Sequence, residues 1–500
     1  MRLADLLREM PGATLLQGDP ALDVTGVSHD SRTVRPGELF VAVPGLRHNG
    51  RRFLPEAFRR GAVGAVTEAP AEADAGRATV LVPSARAALA ELAAVLCGHP
   101  SRHLRLVGIT GTDGKTTTAQ MLGAILERSG LRIGWLTTVD LKVGALRRPN
   151  DLRHTTPEAD RVQGLLAEMV DAGVDCVVLE VSSHALALER VRRCEFDAAV
   201  FTNLSPEHLN FHGTLDAYLA AKARLFEMLG EPSAKRWPRF GVVNADDPAA
   251  PRIVERCPAG VVRFGLDSQA DVTARDVRLD GRGSSFKLMT PSGEAAVATS
   301  LLGRFNVANW LAAAATAVEM GATPAQVAQA AAELGPVDGR MERLERGQPF
   351  LVVVDFSHTP QALENALRTL RPHTPGRLMV VFGHAGERDP ANRPAMGAVA
   401  AELADFFVLS SDDPLHEDPH QIAAQIAAGA EARNRRQGQD YLIEVDRAAA
   451  IRTLLRRARR GDTVLLAGKG HEQRMLVGDD RLPWNDRQEA EQALAELGYP

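Results

Sequence analysis

The chain has 500 residues, of which 45% are hydrophobic and 24% are charged, and its formal net charge is −5 at neutral pH. This length predicts two to four domains, and the charge gives no support to a nucleic-acid or membrane partner. The start of the chain has acids within its apolar stretch, and no run of about 18 apolar residues occurs, so we expect neither a signal peptide nor a membrane span. Four well-separated cysteines without a CxxC pair are typical of free thiols in a reducing cytoplasm.

The first predicted part covers residues 1–98. The segment "VTGVSHDSRTVRPGELFVAVPG" (24–45) alternates short apolar strands with turn signals, and "GAVGAVTEAP" and "ATVLVP" predict further strands. An Ala-rich amphipathic helix is predicted over 84–98.

Residues 99–336 begin with a strand, a glycine loop and a helix in "HLRLVGITGTDGKTTTAQMLGAILERSG". Strands in "DCVVLEV", "DAAVFTNL" and "FGVVNADD" then alternate with Ala/Leu-rich helices, which predicts a mainly parallel sheet. Residues 337–500 restart this alternation with "PFLVVVDFS", "LMVVFG", "FFVLSSD" and "DTVLLAGKG", a second, Rossmann-like doubly wound sheet. The fold class is therefore α/β with three domains.

The stretch "GITGTDGKTTT" (108–118) fits the pattern of a phosphate-binding loop. We expect its backbone N–H groups to hold phosphates, Lys115 to reach the terminal phosphates and Thr116 to hold Mg²⁺. Glu180 ends a predicted buried strand, where an ionised carboxylate is costly without a cation. His208 is either a ligand or a packing residue.

Only six of the 58 basic Lys and Arg side chains are lysines. A chain so biased toward arginine is expected to keep lysine where a guanidinium will not serve, although chance placement is the alternative for each one. The six are Lys115, Lys142, Lys222, Lys235, Lys287 and Lys469.

Nine segments in chain order resemble motifs of the Mur ligases of peptidoglycan synthesis: "GITGTDGKTTT", "LEVSSHAL", "FTNLSPEHLNFHGT", "AYLAAKARLF", "NADDP", "GRFNVANW", "DGRMER", "SHTPQALENAL" and "AGKGHE". The resemblance runs from about residue 24 to 475 and is to the MurE type, which adds a diamino acid to UDP-N-acetylmuramoyl-L-alanyl-D-glutamate. It implies an N-terminal UDP-sugar domain, a central ATPase and a C-terminal amino-acid domain. It also implies that ATP phosphorylates the substrate's carboxylate and that the amine attacks the acyl phosphate. A monomeric cytoplasmic enzyme of cell-wall biogenesis, cell shape and division is expected.

The resemblance also assigns residues. The ATP and metal residues are Gly111, Thr112, Asp113, Gly114, Lys115, Thr116, Thr117, Glu180, His208, Asn306, Asn309, Arg340, Asp355 and His358, with Mg²⁺ ligands among Thr116, Glu180, His208 and a carbamylated Lys222. The UDP-sugar-dipeptide residues are His29, Ser31, Leu46, Arg47, His48, His154, Thr155, Thr156, Ser182 and Arg190. Here His154 replaces the family's usual Asn. The amino-acid residues are Arg388, Asp412, Asp413, Pro414, Leu415, Gly468 and Glu472, of which Arg388, Gly468 and Glu472 serve the α-amino and α-carboxylate end.

One departure affects the amino acid. Family members that take meso-diaminopimelate carry Asp-Asn-Pro-Arg, and the arginine grips the substrate's far carboxylate. Here the segment is Asp-Asp-Pro-Leu, so Leu415 leaves that carboxylate without a partner, at a cost of roughly 1–3 kcal/mol. Asp413 adds negative charge that attracts an ammonium. We therefore expect L-lysine or L-ornithine.

Four alternatives remain open. In the first, another arginine, such as Arg393, restores diaminopimelate binding. In the second, the chain is the Mur ligase that adds D-Ala-D-Ala. Folylpolyglutamate synthase shares the ATPase and C-terminal domains but lacks this N-terminal domain. A nucleotide-switch module without chemistry predicts a dispensable Lys222.

Overall fold

The structure, a computed structural model, describes residues 1–45, 49–70, 77–150 and 154–499. The chain divides into two compact units. The first unit comprises residues 1–111, 126–202 and 219–263, and the second comprises 112–125, 203–218 and 264–500.

The strands described are β1 (Thr14–Gln17), β2 (Gly26–Ser28), β3 (Glu38–Val41), β4 (Gly64–Thr67), β5 (Ala78–Leu81), β6 (Arg105–Thr110), β7 (Ile133–Leu136), β8 (Asp140–Val143), β9 (Leu146–Pro149), β10 (Cys176–Glu180), β11 (Ala198–Phe201), β12 (Phe240–Asn244), β13 (Gly260–Gly265), β14 (Val272–Asp280), β15 (Gly283–Thr290), β16 (Gly293–Thr299), β17 (Glu342–Leu344), β18 (Leu351–Asp355), β19 (Leu378–Phe382), β20 (Phe406–Leu409), β21 (Tyr441–Ile443), β22 (Thr463–Ala467), β23 (Arg474–Val477) and β24 (Asp480–Pro483).

The α-helices described are α1 (Leu3–Arg8), α2 (Leu54–Arg59), α3 (Ala85–Leu96), α4 (Lys115–Arg128), α5 (Ala159–Asp171), α6 (Ser183–Ala187), α7 (Leu209–His212), α8 (Leu215–Glu227), α9 (Ala250–Glu255), α10 (Arg304–Glu319), α11 (Pro324–Glu333), α12 (Pro360–Leu370), α13 (Asn392–Leu403), α14 (Pro419–Glu431), α15 (Arg447–Arg457) and α16 (Asp486–Glu496). Short 3₁₀ turns occur at Gly50–Phe53, Pro100–His103, Met228–Gly230 and Arg371–His373.

The first unit contains a five-stranded sheet in the order β1-β5-β4-β3-β2, parallel except at β1. The helix predicted over 84–98 is observed as α3, and it starts where the Ser84 side chain accepts a hydrogen bond from the Ala87 N–H at 3.2 Å. Its apolar face packs into the same core as the sheet.

The first unit also contains strands in the order β12-β11-β6-β10-β7-β8-β9, of which the five from β12 to β7 are parallel. β10 lies between β6 and β7, and all five of its residues are buried. This explains its unbroken apolar run, because a parallel strand covered on both faces has no solvent side. The run ends at Glu180, so the sequence places a carboxylate at the carboxyl edge of the sheet.

In the second unit, β14, β15 and β16 form an antiparallel meander. The prediction of a mainly parallel sheet is confirmed, but these three strands, which the sequence did not predict, are antiparallel. Many residues of β14 are exposed or half-buried, so its sequence, "VTARDVRLD", lacks the apolar run by which the parallel strands were predicted.

The C-terminal sheet has the order β17-β18-β22-β19-β20-β21 and is parallel except at β17. The chain leaves the carboxyl ends of β18, β20 and β22 at Asp355, Leu409 and Ala467. Open parallel sheets bind ligands at this edge. The α/β class is confirmed, whereas the domain boundaries at 98/99 and 336/337 stay predictions.

Candidate active site

The phosphate loop has the predicted context of strand, loop and helix, β6, 111–114 and α4. Gly114 has φ +81°, and a Cβ atom there would lie 2.4 Å from the Asn309 Oδ1 atom, so no larger residue fits. The Asn203 carbonyl accepts the Thr112 N–H at 2.9 Å, and its side-chain oxygen accepts the Asp113 N–H at 2.9 Å. The loop is therefore held by contacts on both sides.

Helix α4 starts with the predicted phosphate and metal residues. The Lys115 ammonium donates to the Thr112 carbonyl at 2.7 Å, and the Thr116 hydroxyl accepts from Arg340 at 3.4 Å. Thr117 is buried beside them. The structure thus brings Arg340, predicted from a distant segment, to the helix N-terminus.

The two asparagines of α10 are buried. Asn309 donates to the Asn306 side chain at 3.1 Å, and Asn306 donates to the Leu302 carbonyl at 2.8 Å. Because Asn309 also touches Gly114, the predicted adenine-side residues lie against the phosphate loop.

Asp355 braces the segment that carries Arg340. Its carboxylate accepts the Met341 N–H at 2.7 Å and the Ser357 N–H at 3.0 Å. The Arg340 guanidinium lies over the Phe356 ring, 4.5 Å from its centroid. Asp355 therefore fixes the position of a cation at the loop.

An acid that the sequence did not single out, Glu207, lies between two predicted histidines. Its carboxylate is 3.5 Å from His208 Nε2 and 3.6 Å from His358 Nε2. Burial opposes ionisation of Glu207, but His358, His208 and Lys115 lower its pKa. Burial lowers the pKa of His208 to about 4, so this imidazole is neutral at physiological pH, as a metal ligand must be.

In the first unit, the side chain of Glu180 is fully buried. Its carboxylate accepts hydrogen bonds from the Thr138 N–H at 2.9 Å and the Thr138 hydroxyl at 3.0 Å. Both donors are neutral, so they do not balance its charge. Lys222, on α8, is also buried, at 1% exposed.

The predicted dipeptide contacts also lie in the first unit. The Thr156 hydroxyl accepts the Ser182 N–H at 3.1 Å, and Arg190 donates to the Thr156 carbonyl at 3.0 Å while pairing with Glu158 at 2.7 Å. The Thr155 hydroxyl oxygen lies 3.0 Å from that of Thr138. The structure thus brings Thr155, Thr156, Ser182 and Arg190 together near Glu180, whereas His154 is exposed.

Two predicted uridine-side residues follow β2. His29 Nδ1 lies 2.9 Å from Asp160, and the Ser31 hydroxyl donates to Glu56 at 2.7 Å. The other three, at 46–48, lie outside the described residues.

The predicted amino-acid residues converge at the carboxyl ends of β20 and β22. The carboxylates of Asp412, Asp413 and Glu472 have oxygens within 4.8 Å of one another. Gly468 has φ +114°, and a Cβ atom there would lie 2.7 Å from Asp412 Oδ2. Leu415 pairs with β23, where its N–H donates to the Leu476 carbonyl at 3.1 Å.

The two other predicted members differ in their surroundings. Pro414 is buried: a Cβ atom on Gly386 would lie 2.0 Å from its carbonyl oxygen, so these two loops pack closely. Arg388 is exposed and influences the pKa of His208 and His358, which places it near the histidine cluster.

Arg393 does not replace the missing arginine in this structure. Its guanidinium is buried and pairs with Glu417 at 2.8 Å, and it donates to Gln425 at 2.8 Å. Both contacts would have to break before Arg393 met a substrate carboxylate.

Comparison with known proteins gives the family. Family models match the chain as the Mur ligase family catalytic domain at 23–95, the Mur ligase middle domain at 109–317 and the Mur ligase glutamate ligase domain at 339–470. The UDP-N-acetylmuramyl-tripeptide synthetase of Roseiflexus sp. (strain RS-1) is 46% identical over 512 residues, covering 100% of both chains.

The chain belongs to the Mur ligase family.

Two further Mur ligases span the full length. The UDP-N-acetylmuramoyl-L-alanyl-D-glutamate–2,6-diaminopimelate ligase of Geobacillus kaustophilus (strain HTA426) is 42% identical over 498 residues, covering 100% of both chains. A solved structure of a ligase of the same description is 30% identical, with a TM-score of 0.67 and 100% of both chains covered.

The predicted MurE type and three-domain Mur ligase fold are confirmed. The protein is an ATP-dependent acid–amino acid ligase of peptidoglycan synthesis that acts on small-molecule substrates, and not a switch without chemistry. No helix in the described part of the chain is long and apolar enough to cross a membrane.

The sequence analysis missed one charged residue of this Mur ligase site, Glu207, and placed another, Lys469, in a proposed site without giving it a role. Glu207 precedes His208 in "SPEHLNFH", and adjacency to a predicted ligand was the available signal. Lys469 was noticed as a scarce lysine in "AGKGHE" but received no role, because its partners Asp412 and Asp413 lie far away in the sequence.

Proposed function

We propose that this enzyme adds L-lysine or L-ornithine to the D-glutamate of UDP-N-acetylmuramoyl-L-Ala-D-Glu. The observation that carries the proposal is the segment 412–415: an apolar residue, Leu415, stands at the arginine position, three residues after Asp412, whose carboxylate clusters with those of Asp413 and Glu472. Such a pocket attracts an ammonium and gives no partner to a second carboxylate. Arg393 supports the same conclusion, because its guanidinium is already paired with Glu417.

A second candidate is the same reaction with meso-diaminopimelate. The name of the 42% identical Geobacillus relative favours it. It requires a cation other than Arg393 at the far carboxylate, and Arg388, which is exposed, is the candidate.

In the proposed reaction the γ-phosphoryl group of ATP is transferred to the D-glutamate carboxylate, giving an acyl phosphate and ADP. The incoming amine then attacks the acyl carbon, and phosphate leaves as the amide forms. The loop 111–117 holds the nucleotide phosphates through its N–H groups, and Lys115 contacts the terminal phosphate. Asn306 and Asn309 are proposed to contact the adenine. Arg340 and His358, which lie in the C-terminal part of the chain, are proposed to contact the same nucleotide. Two anions meet in this step, so these cations lower its barrier.

The chemistry of each proposed ligand suits Mg²⁺. Glu180 is a buried carboxylate whose hydrogen-bond donors are neutral, Thr116 offers a hydroxyl, and His208 is held neutral by burial. We propose each as a ligand. When bound, Mg²⁺ would neutralise phosphate charge.

Lys222 is proposed to carry a carbamate. A buried lysine is driven toward its neutral amine, the form that adds CO₂, and a nearby cation favours the resulting anion. Lys222→Ala is expected to lower kcat by about 100-fold or more, as loss of a positioning anion does. Added short carboxylates should restore part of the rate, as measured by phosphate release. Full activity of Lys222→Ala would contradict the carbamate.

The remaining contacts are proposed for the UDP-sugar-dipeptide. We propose that His29, Ser31 and residues 46–48 bind the uridine end, and that residues 154–156, Ser182 and Arg190 bind the dipeptide. We propose a monomer that acts in the cytoplasm, where its cosubstrate ATP is made.

The test is phosphate release by the purified full-length protein with ATP, Mg²⁺ and UDP-N-acetylmuramoyl-L-Ala-D-Glu. L-lysine, L-ornithine or meso-diaminopimelate is supplied separately. Turnover with lysine or ornithine and little with diaminopimelate supports the proposal. The reverse ranking keeps the ligase and overturns the assigned amino acid.

A further inference from the structure

A buried lysine lies among the carboxylates of the amino-acid pocket. Lys469 is 0% exposed, and its Nζ atom is 2.6 Å from Asp413 Oδ1 and 3.8 Å from Asp412 Oδ1. It also pairs with Glu472. The three acids are close enough together to hold a metal ion, but the ammonium already contacts all of them. The cluster is therefore an ammonium site.

The backbone fixes the lysine in this place. Lys469 stands between Gly468 at φ +114° and Gly470 at φ +51°, two positions that favour glycine. A Cβ atom on Gly470 would lie 2.8 Å from the Gly339 carbonyl, and the Gly468 N–H donates to the Asp355 carbonyl at 3.1 Å. This lysine is held by its loop and does not swing like a surface side chain.

The four groups have a definite charge balance. When all three carboxyl groups are ionised, they and the one ammonium carry a net charge of −2, which suits a second ammonium from the substrate. Without the lysine, carboxylates this close repel one another, and some of them take up protons. Burial opposes the charge on Lys469, but Glu472, Asp412 and Asp413 raise its pKa above the ordinary value, so it stays charged.

The neighbouring titratable groups do not supply this balance. Arg447 lies behind the cluster, but its guanidinium is bound to Asp486 at 2.6 Å, and both side chains are fully buried. His384 is near Asp412, and burial lowers its pKa to about 4, so it is uncharged at neutral pH. Arg447 also interacts electrostatically with Asp412 and Glu472, but within the described structure Lys469 is the cation that contacts all three carboxylates directly.

The position of Asp413 corrects the argument made from sequence. Its Oδ1 atom accepts from Lys469 and also from the Leu476 N–H at 2.9 Å. Its charge is therefore at least partly balanced by the lysine. Glu472, whose side chain is 34% exposed, is the acid with an open side.

We propose that Lys469 is a specificity-determining positioning residue, whose buried ammonium holds Asp412, Asp413 and Glu472 together and offsets part of their charge so that the pocket receives the side-chain ammonium of a diamino acid. This inference rests on the proposed function. Asp413 and Lys469 should therefore compensate for each other. Removing the lysine alone makes the net charge of the pocket more negative, and removing both charges restores it.

The test compares the pH dependence of kcat/KM for L-lysine in four full-length proteins, at saturating ATP and UDP-sugar-dipeptide. They are the wild type, Lys469→Met, the double variant Lys469→Met/Asp413→Asn, and the control Lys287→Met, which changes an exposed lysine of β15 paired with Glu294. Thermal unfolding of each protein shows that it is folded.

Lys469→Met should move the acidic limb of the profile up by about one pH unit or more, a tenfold loss below that limb, because lost positive charge favours protonated carboxyls. The double variant should return toward the wild type, and KM for ATP should change less than about twofold in every variant. Lys287→Met should leave the profile unchanged.

An unmoved acidic limb in folded Lys469→Met would overturn the proposal, and so would a double variant that shows no return. If Lys469→Met does not fold, the double variant decides alone: a profile close to the wild type supports the charge balance, and a shifted one contradicts it. If the wild type uses only meso-diaminopimelate, the proposed function fails. The shift of the acidic limb can still be measured with that substrate, because it also carries an ammonium at its far end.

Discussion

The phosphate loop and the amino-acid pocket lie at comparable places, each following the carboxyl end of a parallel strand, but they are determined differently. The loop depends on the backbone: Gly114 is required because a Cβ atom would strike Asn309, and N–H groups do the binding. The pocket depends on side-chain charge: Lys469 and three carboxylates balance one another. A Cβ atom added at Gly114 is therefore expected to disrupt the phosphate loop. A change of one charge in the amino-acid pocket is expected instead to change which amino acid binds.

The largest effect is expected at the loop. Gly114→Ala places a methyl group 2.4 Å from Asn309 Oδ1 and should lower kcat/KM for ATP by about 100-fold, because displaced phosphates lose their alignment. Gly130→Ala is the matched control: it also has positive φ, at +89°, but no atom within 4 Å. Equal losses in both variants would mean that backbone strain, and not the contact with Asn309, limits the loop.

A change of charge in the pocket should alter selectivity and leave the loop intact. Leu415→Arg combined with Asp413→Asn supplies a guanidinium and frees Lys469 of one carboxylate. We expect the ratio of kcat/KM for meso-diaminopimelate to that for L-lysine to rise about 10- to 100-fold, with KM for ATP nearly constant. Leu482→Arg, on exposed β24, adds the same charge nearby as a control. An unchanged ratio in the double variant would remove Leu415 from the specificity argument.

The smallest effect concerns pH. Burial raises the pKa of Glu472 to about 7, against the opposing effect of Lys469. A carboxyl with a raised pKa is charged above that pH and neutral below it, so the attraction for the substrate ammonium is lost as the pH falls through 7. KM for L-lysine should therefore rise several-fold from mildly alkaline to mildly acidic pH, and Glu472→Gln should flatten this rise. A KM that falls with decreasing pH would contradict the sign.

Much of the fold was predictable because buried parallel strands are continuous apolar runs. β10, β19 and β22 were each predicted from such a run, and the loop after β6 from its glycines. The meander β14–β16 was missed because its strands are polar and partly exposed. Local sequence patterns therefore predict strands that are buried on both faces, but not polar and partly exposed strands such as β14.

The sequence predicted many residues of the site, but it did not predict which of them contact one another. Asp412, Gly468 and Glu472 were named from motifs, but the contact of Asp413 with Lys469 joins residues 56 positions apart. No local pattern contains such a distance, so the sequence assigned the charge of Asp413 to the substrate. The structure assigns it to the lysine.

The most direct measurement is a competition. The purified enzyme receives ATP, Mg²⁺, UDP-N-acetylmuramoyl-L-Ala-D-Glu and equal concentrations of L-lysine, L-ornithine and meso-diaminopimelate, and the mass of the tripeptide product is determined. We expect a product carrying lysine or ornithine, with diaminopimelate as a minor component. A product carrying mainly diaminopimelate would contradict the proposed substrate and would require a cation at the far carboxylate, either Arg388 or an Arg393 released from Glu417.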